Sequence, residues 1–252
     1  MGLILGLLIV LPTLVIVLRS LGSESLGVLN ATAVEALRLS LLTTSISLGL
    51  TLLFGTPIAY LLARYRFWGH RVLDTLIDLP ILLPPTVAGV GLLLTFGRRG
   101  FVGQYLSDVG ITIAFTTTAV VMAQLFVASP LFIRAMKAGF ESVPQHLEGA
   151  ALSLGASRWR TFFRVTLPLT LPYLLEGAVL MWARALGEFG ATIVFAGSLI
   201  GRSQTMPLAI YATLEQDLDA ALKLSAILTV FAFALLLSFR ALTRNSYSLP
   251  ES

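Results

Sequence analysis

The sequence predicts an all-α polytopic membrane protein, and three observations carry that reading. Of 252 residues, 56% are hydrophobic and only 12% charged, whereas a soluble domain carries about 25% charged residues. Mean hydropathy is +0.89. Long uncharged runs bounded by arginines recur along the chain. At about 20 apolar residues per bilayer crossing, the length holds five or six transmembrane helices and short loops, with six the preferred count. A water-soluble enzyme is disfavoured, and the absence of cysteine removes disulfides, thiolate metal sites and thiol catalysis.

The first span runs from Gly2 to Leu18 and contains Pro12; it has neither the basic n-region nor the small-x-small cleavage site of a secretory signal. Span two covers the 25 uncharged residues from Leu39 to Ala63 and ends in Arg64, Arg66 and Arg71. Span three covers Leu79 to Gly97. Pro80, Pro84 and Pro85 remove amide donors near its start, so its backbone must be buried against protein or line a wet cavity. Span four lies within the uncharged run from Val109 to Ile133, with Gln124, Ser129 and Pro130 inside it. A polar loop follows from Arg134 to Pro168, carrying Lys137, Arg158, Arg160 and Arg164. Span five, Leu169 to Phe195, contains Glu176, Arg184 and Glu188; span six, Ala220 to Phe239, has Lys223 placed to snorkel and Arg240 at its end.

The net charge of +4 is a matter of sidedness rather than of nucleic-acid binding, because Lys and Arg accumulate on the cytoplasmic face of membrane proteins. With the loops after spans two and four inside, that side receives Arg64, Arg66, Arg71, Arg134, Lys137, Arg158, Arg160, Arg164, Arg240 and Arg244. The other side receives Arg19, Arg38, Arg98, Arg99, Arg202 and Lys223, a bias of ten to six. The chain then divides into an N-terminal helix and external loop (1–35), a membrane body (36–240) and a cytoplasmic tail (241–252). A five-span chain with an external N-terminus is the alternative.

Within the cytoplasmic loop, Leu147, Ala150, Ala151 and Leu154 fall at i, i+3, i+4 and i+7, one narrow stripe on a short helix. Gly155 then suits a left-handed stop. Trp159, Phe162 and Phe163 repeat the helical spacing among arginines, so two short amphipathic helices flank a glycine hinge. A basic amphipathic stretch suits the membrane interface. The first helix departs from that pattern: its stripe is mostly alanine, with Glu148 alongside, and has little area for lipid but lets another protein approach closely.

The run LEGAALSLGASRWRTFFRVTLPL, Leu147 to Leu169, resembles the "EAA" loop of binding-protein-dependent ABC importers of the first structural type. Glu148, Ala150, Ala151, Leu154, Gly155, Leu167 and Pro168 fill its pattern, and Gly149 departs from it. The segments DLPILLPPTVAGVGLLLTFGRRGFVGQYL (Asp78 to Leu106) and ARALGEFGATIVFAG (Ala183 to Gly197) resemble the permease subunits of molybdate and tungstate importers, with sulfate permeases as near relatives. The likeness covers about Ala36 to Arg240. It implies a coupling helix at Leu147, Glu148, Ala150, Ala151, Leu154 and Gly155, seated on an ATP-hydrolysing subunit. It further implies a prokaryotic inner-membrane location, a permease homodimer, two ATPase subunits that bind the ATP and Mg, and an external oxyanion-binding protein. This chain itself is then a non-catalytic subunit without a cofactor. The residues agree with that expectation: no G-x-x-x-x-G-K-[ST] phosphate loop occurs, and Lys137 and Lys223 have no glycine-rich neighbourhood.

Ionisable residues inside a span face a bundle interior or a wet cavity. Arg184 and Glu188 are one turn apart and can pair, either to fix packing or to line an oxyanion path. Ala183, Gly187 and Ala191 form a small-xxx-small series beside them. Thr86, with Gly89 and Gly91, is a second candidate for the path, against ordinary helix packing. Two other function classes remain: an ion-coupled secondary transporter, built on the broken third span and the charges of span five, and an intramembrane enzyme using Asp74 and Asp78. His70 and His146 stand alone, without H-E-x-x-H spacing, so no metal is expected.

Overall fold

The computed structural model describes residues 2–21 and 31–244, and among them the chain is helical with no strand. The external loop from 22 to 30 and the tail from 245 to 252 lie outside the described residues. Four helical segments are long and apolar enough to cross a membrane: Ile4–Leu21, Thr32–Arg64, Thr117–Ser142 and Leu218–Ser238. Two bent pairs, His70–Leu82 with Pro85–Phe96 and Arg158–Leu169 with Leu171–Leu186, bring the number to six if each counts as one span. That is the preferred count from sequence, with the first break at the expected prolines.

Helix α1 (Gly2–Leu21) packs along the last helix, α14 (Leu218–Arg244), and otherwise presents Leu5, Leu8 and Leu11 outward, as lipid contact requires. Helix α2 (Ala31–Leu50) passes through a π turn, Thr51–Gly55, into α3 (Thr56–Arg64), so the second crossing is continuous and longer than its uncharged run. Hydroxyls within α2 return to their own helix: Thr43 donates to the Leu39 carbonyl at 2.9 Å and Thr44 to that of Ser40 at 2.7 Å. These bonds let a Thr-rich helix sit in a bundle without leaving polar groups bare.

The third span is reorganised relative to the sequence expectation of one segment from 79 to 97. Helix α4 (His70–Leu82) starts nine residues earlier, and α5 (Pro85–Phe96) leaves it at 116°. Pro84 and Pro85 explain the break, because proline holds the preceding residue extended and Leu83 is extended. Pro80 lies within α4. After the short α6 (Gly103–Asp108), helix α7 (Thr117–Ser142) begins where Thr116 accepts from the Ala119 amide at 3.3 Å. The expected fourth span of 109–133 is thus shifted: its first residues lie outside the helix, and the helix runs on through Arg134 and Lys137. Those cations are matched by acids of α4, with Lys137 Nζ donating at 2.7 Å to each Asp74 oxygen and Arg134 Nε lying 3.3 Å from Asp78.

The loop holds α8 (Gln145–Ser153), α9 (Arg158–Thr161), a second π turn (Phe162–Thr166) and α10 (Leu167–Leu169). Helix α11 (Leu171–Leu186) follows at 69° to the preceding arm. The expected fifth span of 169–195 is broken, since α11 stops at Gly187 and α12 (Gly190–Phe195) is a separate short helix; α13 (Met206–Leu214) then leads to α14. Ala183, Gly187 and Ala191 therefore share no helix face. Ala183 and Gly187 are exposed while Ala191 is buried beside α5.

Helix α7 is the centre of the body. Phe132, Met136 and Phe140 pack with Ala59 and Leu62 of α3 and Met181 and Ala185 of α11, and Val120, Ala123 and Val127 pack with α5 and α12. A bilayer gives helices little hydrophobic drive to associate, so close fit carries the packing. Two glycines of this body provide it. A Cβ on Gly139 would lie 2.6 Å from Tyr173, and one on Gly177 would lie 2.9 Å from Ala135.

Candidate coupling loop and translocation path

Helix α8 has no buried residue. Leu147, Ala150 and Leu154 are exposed, Ala151 is half-buried, and Leu154 reaches 89% exposure. The helix ends as the spacing predicts. Gly155 has φ +86° and donates to the Leu152 carbonyl at 3.0 Å, while Ala156 donates to that of Ala151 at 3.1 Å. This paired closure around a left-handed residue satisfies orphan carbonyls and fixes the exit angle of the chain. The stripe is thus a small, firm, outward-facing knob.

Glu148 has a different place from the rest of its group. Its carboxylate turns toward the body, where Arg64 Nη2 meets Oε1 at 2.8 Å and Thr166 Oγ1 donates to the same oxygen at 2.8 Å. Arg64 Nη2 also donates to the Val143 carbonyl at 3.1 Å. The two charged side chains are only 8% and 16% exposed, so this latch between α3, α8 and the second π turn is largely shielded from water. Sequence reasoning missed Arg64 and Thr166 as members of the site. Arg64 lies 84 residues from Glu148, beyond the reach of any helical spacing; its one visible signal was a cation at the mouth of a long uncharged run.

Aromatic packing supports the latch. Tyr60 meets Phe140 and Phe162 edge-on, with ring centroids 5.2 Å apart in each case. Phe162 thereby points inward, while Trp159 and Phe163 stack on each other at 6.0 Å and stay exposed. The π turn begins at Phe162, whose inward ring sits edge-on to the exposed Phe163 with centroids 5.1 Å apart.

In the membrane body, Arg184 and Glu188 pair as the spacing predicts, Nη1 to Oε2 at 2.7 Å. Glu188 is buried and Arg184 partly open. The other carboxylate oxygen accepts from the Ala191 amide at 2.8 Å and so caps α12. Around this break the helices approach closely: a Cβ on Gly190 would lie 2.6 Å from Pro85, and one on Gly89 would lie 2.8 Å from the Ala191 carbonyl oxygen and from Val194. Gly89 therefore serves packing, whereas Thr86 is exposed at the start of α5. A polar cluster not foreseen from sequence lies between α2 and α7, where buried Gln124 donates to Thr43 at 3.1 Å and accepts from Ser47 at 3.0 Å. Gln124 was visible as the polar member of its span, but its partners are 77 and 81 residues away.

Asp74 and Asp78, the candidate acid pair, each meet a cation of α7, Lys137 and Arg134. His70 bonds the Leu62 carbonyl at 2.9 Å, His146 is exposed, and no group of three metal-binding side chains occurs among the described residues.

Residues 55–246 match the family model described as "Binding-protein-dependent transport system inner membrane component". The chain is 46% identical over 182 residues to the "Molybdenum transport system permease protein ModB" of Escherichia coli (strain K12), covering 72% of this chain and 80% of that one. It is 40% identical over 163 residues to the "Probable sulfate transport system permease protein cysT" of Chlorokybus atmophyticus, covering 65% of this chain and 57% of the relative. Its fold superposes with a TM-score of 0.73, at 19% identity and over 98% of this chain and 94% of the other, on a chain in the crystal structure of a bacterial ABC transporter involved in the import of the acidic polysaccharide alginate. Broken apolar spans around one central helix, a firm exposed knob on the basic side and a family match over most of the sequence agree: this multi-pass chain belongs to the inner-membrane components of binding-protein-dependent transport systems.

Proposed function

We propose that this chain is the permease subunit of an oxyanion importer, with molybdate or tungstate as its cargo, working as a homodimer with two ATPase subunits and an external binding protein. The observation that carries the cargo is the identity of 46% to a molybdenum transport system permease over most of both chains. The chain lacks a phosphate loop, so ATP and Mg belong to the partner ATPases and this subunit is non-catalytic.

In this reading Leu147, Ala150, Ala151, Leu154 and Gly155 form the face that docks on the ATPase. Glu148 acts one step behind it, transmitting movement of α8 through Arg64 into α3 and through Thr166 into the arm that leads to α11. Closure of the two ATPases then draws the paired loops together and rocks the bundles about their interface. Arg184 and Glu188 hold the break between α11 and α12, and Thr86 stands at the facing break before α5. Pairing with Glu188 tempers the pull of Arg184 on an anion, as conduction requires binding weak enough for release.

Uptake of labelled molybdate into cells lacking their own molybdate permease tests this directly, with sulfate as competitor. Accumulation restored by the chain together with its ATPase and binding protein, and blocked by excess tungstate, is the expected outcome. Restored sulfate uptake without molybdate uptake overturns the cargo, and uptake by the chain without any ATPase overturns the class in favour of ion-coupled transport.

A further inference from the structure

At the end of the molecule opposite α8, a cavity of about 280 Å³ is lined by Arg98, Arg202, Ser107, Thr112 and Phe115, among others. Among the described residues neither arginine makes an ion pair. Both are mounted on tightly bonded turns. Gly100 closes the turn after α5 by donating to Gly97 at 2.8 Å. The amides of Arg202, Ser203 and Gln204 converge on the Leu199 carbonyl at 2.9 to 3.0 Å. Thr117 Oγ1 further ties the Arg202 carbonyl to the start of α7 at 2.7 Å.

Two further observations mark the same cavity. The Ser107 hydroxyl is buried without a hydrogen-bond partner, which is costly unless something at the site satisfies it. Phe115 holds φ +62°, a left-handed conformation that a bulky aromatic rarely adopts; its amide donates to Phe195 at 3.2 Å, and a Cβ on neighbouring Gly197 would lie 3.1 Å from its ring. Strain of this kind persists where surrounding structure holds it and concentrates at functional sites.

We infer that this cavity is a receiving site for a tetrahedral dianion at the outer mouth of the permease, with Arg98 and Arg202 as its cationic forks. The inference rests on the oxyanion reading above and names where that anion first meets this chain. Two exposed arginines line one cavity without a paired carboxylate among the described residues, so a doubly charged four-oxygen anion that can engage both is favoured over chloride. At about 30 Å³ for each water-sized group, the cavity holds such an anion with part of its water shell. Binding is correspondingly weak. Glu35 weakens it further, because its Oε2 lies 3.7 Å from the place a Cβ would take on Gly201, next to Arg202.

Equilibrium dialysis of labelled molybdate and labelled sulfate against the full chain, in discs of uncharged lipid at low salt, tests the site. Saturable binding is expected to weaken about tenfold in Arg98→Gln and in Arg202→Gln, to be partly kept in the lysine variants, and to be unchanged in Arg99→Gln, whose side chain does not line the cavity. Equal binding by wild type and the Arg98→Gln/Arg202→Gln double variant overturns the inference, as does the absence of saturable binding by wild type. Loss of uptake at limiting binding protein with dialysis unchanged also overturns it, assigning the arginines to acidic side chains of that protein. A wild-type chain that binds the dianion in dialysis yet supports no oxyanion uptake in cells sinks the proposed function and leaves the site standing.

Discussion

Two sets of cations, one at each end of the molecule, sit in different surroundings. At the cytoplasmic end Arg64, Lys137 and Arg134 are tied to Glu148, Asp74 and Asp78, and those pairs join α3 to α8 and α4 to α7. At the outer end Arg98, Arg99 and Arg202 enter no ion pair among the described residues, and two of them face one cavity. Arg64, Lys137 and Arg134 meet carboxylates within ion-pair distance, whereas the Glu35 carboxylate lies near Arg202 without pairing with it. Charge sidedness alone, the familiar signal from sequence, does not separate these surroundings.

The comparison breaks most sharply at Gly155. Gly155→Val places a β-branched residue at φ +86°, and because no atom lies within 4 Å of the added Cβ, all of the strain is conformational. We expect transport-coupled ATP hydrolysis in reconstituted vesicles to be lost, while insertion and thermal stability fall by only about 1 to 2 kcal/mol. A variant that transports normally would separate α8 from coupling.

Glu148→Ala is next. It strands Arg64 in a shielded position, and removal of one partner from such a pair costs about 3 kcal/mol. A thermal melt of the detergent-solubilised chain reads the loss, and adding Arg64→Ala should recover part of it. Full additivity of the two changes would show that no latch exists. Gly190→Val drives a methyl group into Pro85, where its Cβ would already lie 2.6 Å away, and overpacking of this order costs about 1 to 3 kcal/mol. The same melt measures it, and an unchanged midpoint would place α5 and α12 further apart than described. Asp78→Asn should do least, about 0.5 kcal/mol or under, because its partner Arg134 is 61% exposed and solvent screens the pair. A large effect there would mean that the surface ladder on α4 is as strong as the buried latch.

Much of this was legible in the residues. Gly155 ending a short helix, pairing of Arg184 with Glu188 and a break at Pro84 and Pro85 all rest on interactions within about five residues, which spacing encodes. Other features needed the folded chain. Phe162 turns its ring toward Tyr60 at the start of a π turn that the helical spacing did not announce. The fifth span splits because Glu188 caps a new helix instead of continuing the old one. The fourth span extends past its charges because α4 supplies their partners.

From the sequence alone came the membrane class, the preferred six crossings, the basic side and the small-faced loop helix, because hydropathy, charge and short-range periodicity are properties of consecutive residues. Only the tertiary structure decided that Glu148 faces its own chain, that Gln124 joins α2 to α7, and that Arg98 and Arg202 share one cavity while Asp74 and Asp78 are neutralised. The reason is physical: those arrangements join residues brought together from different helices. Their energies depend on burial and distance, neither of which exists until the helices have packed.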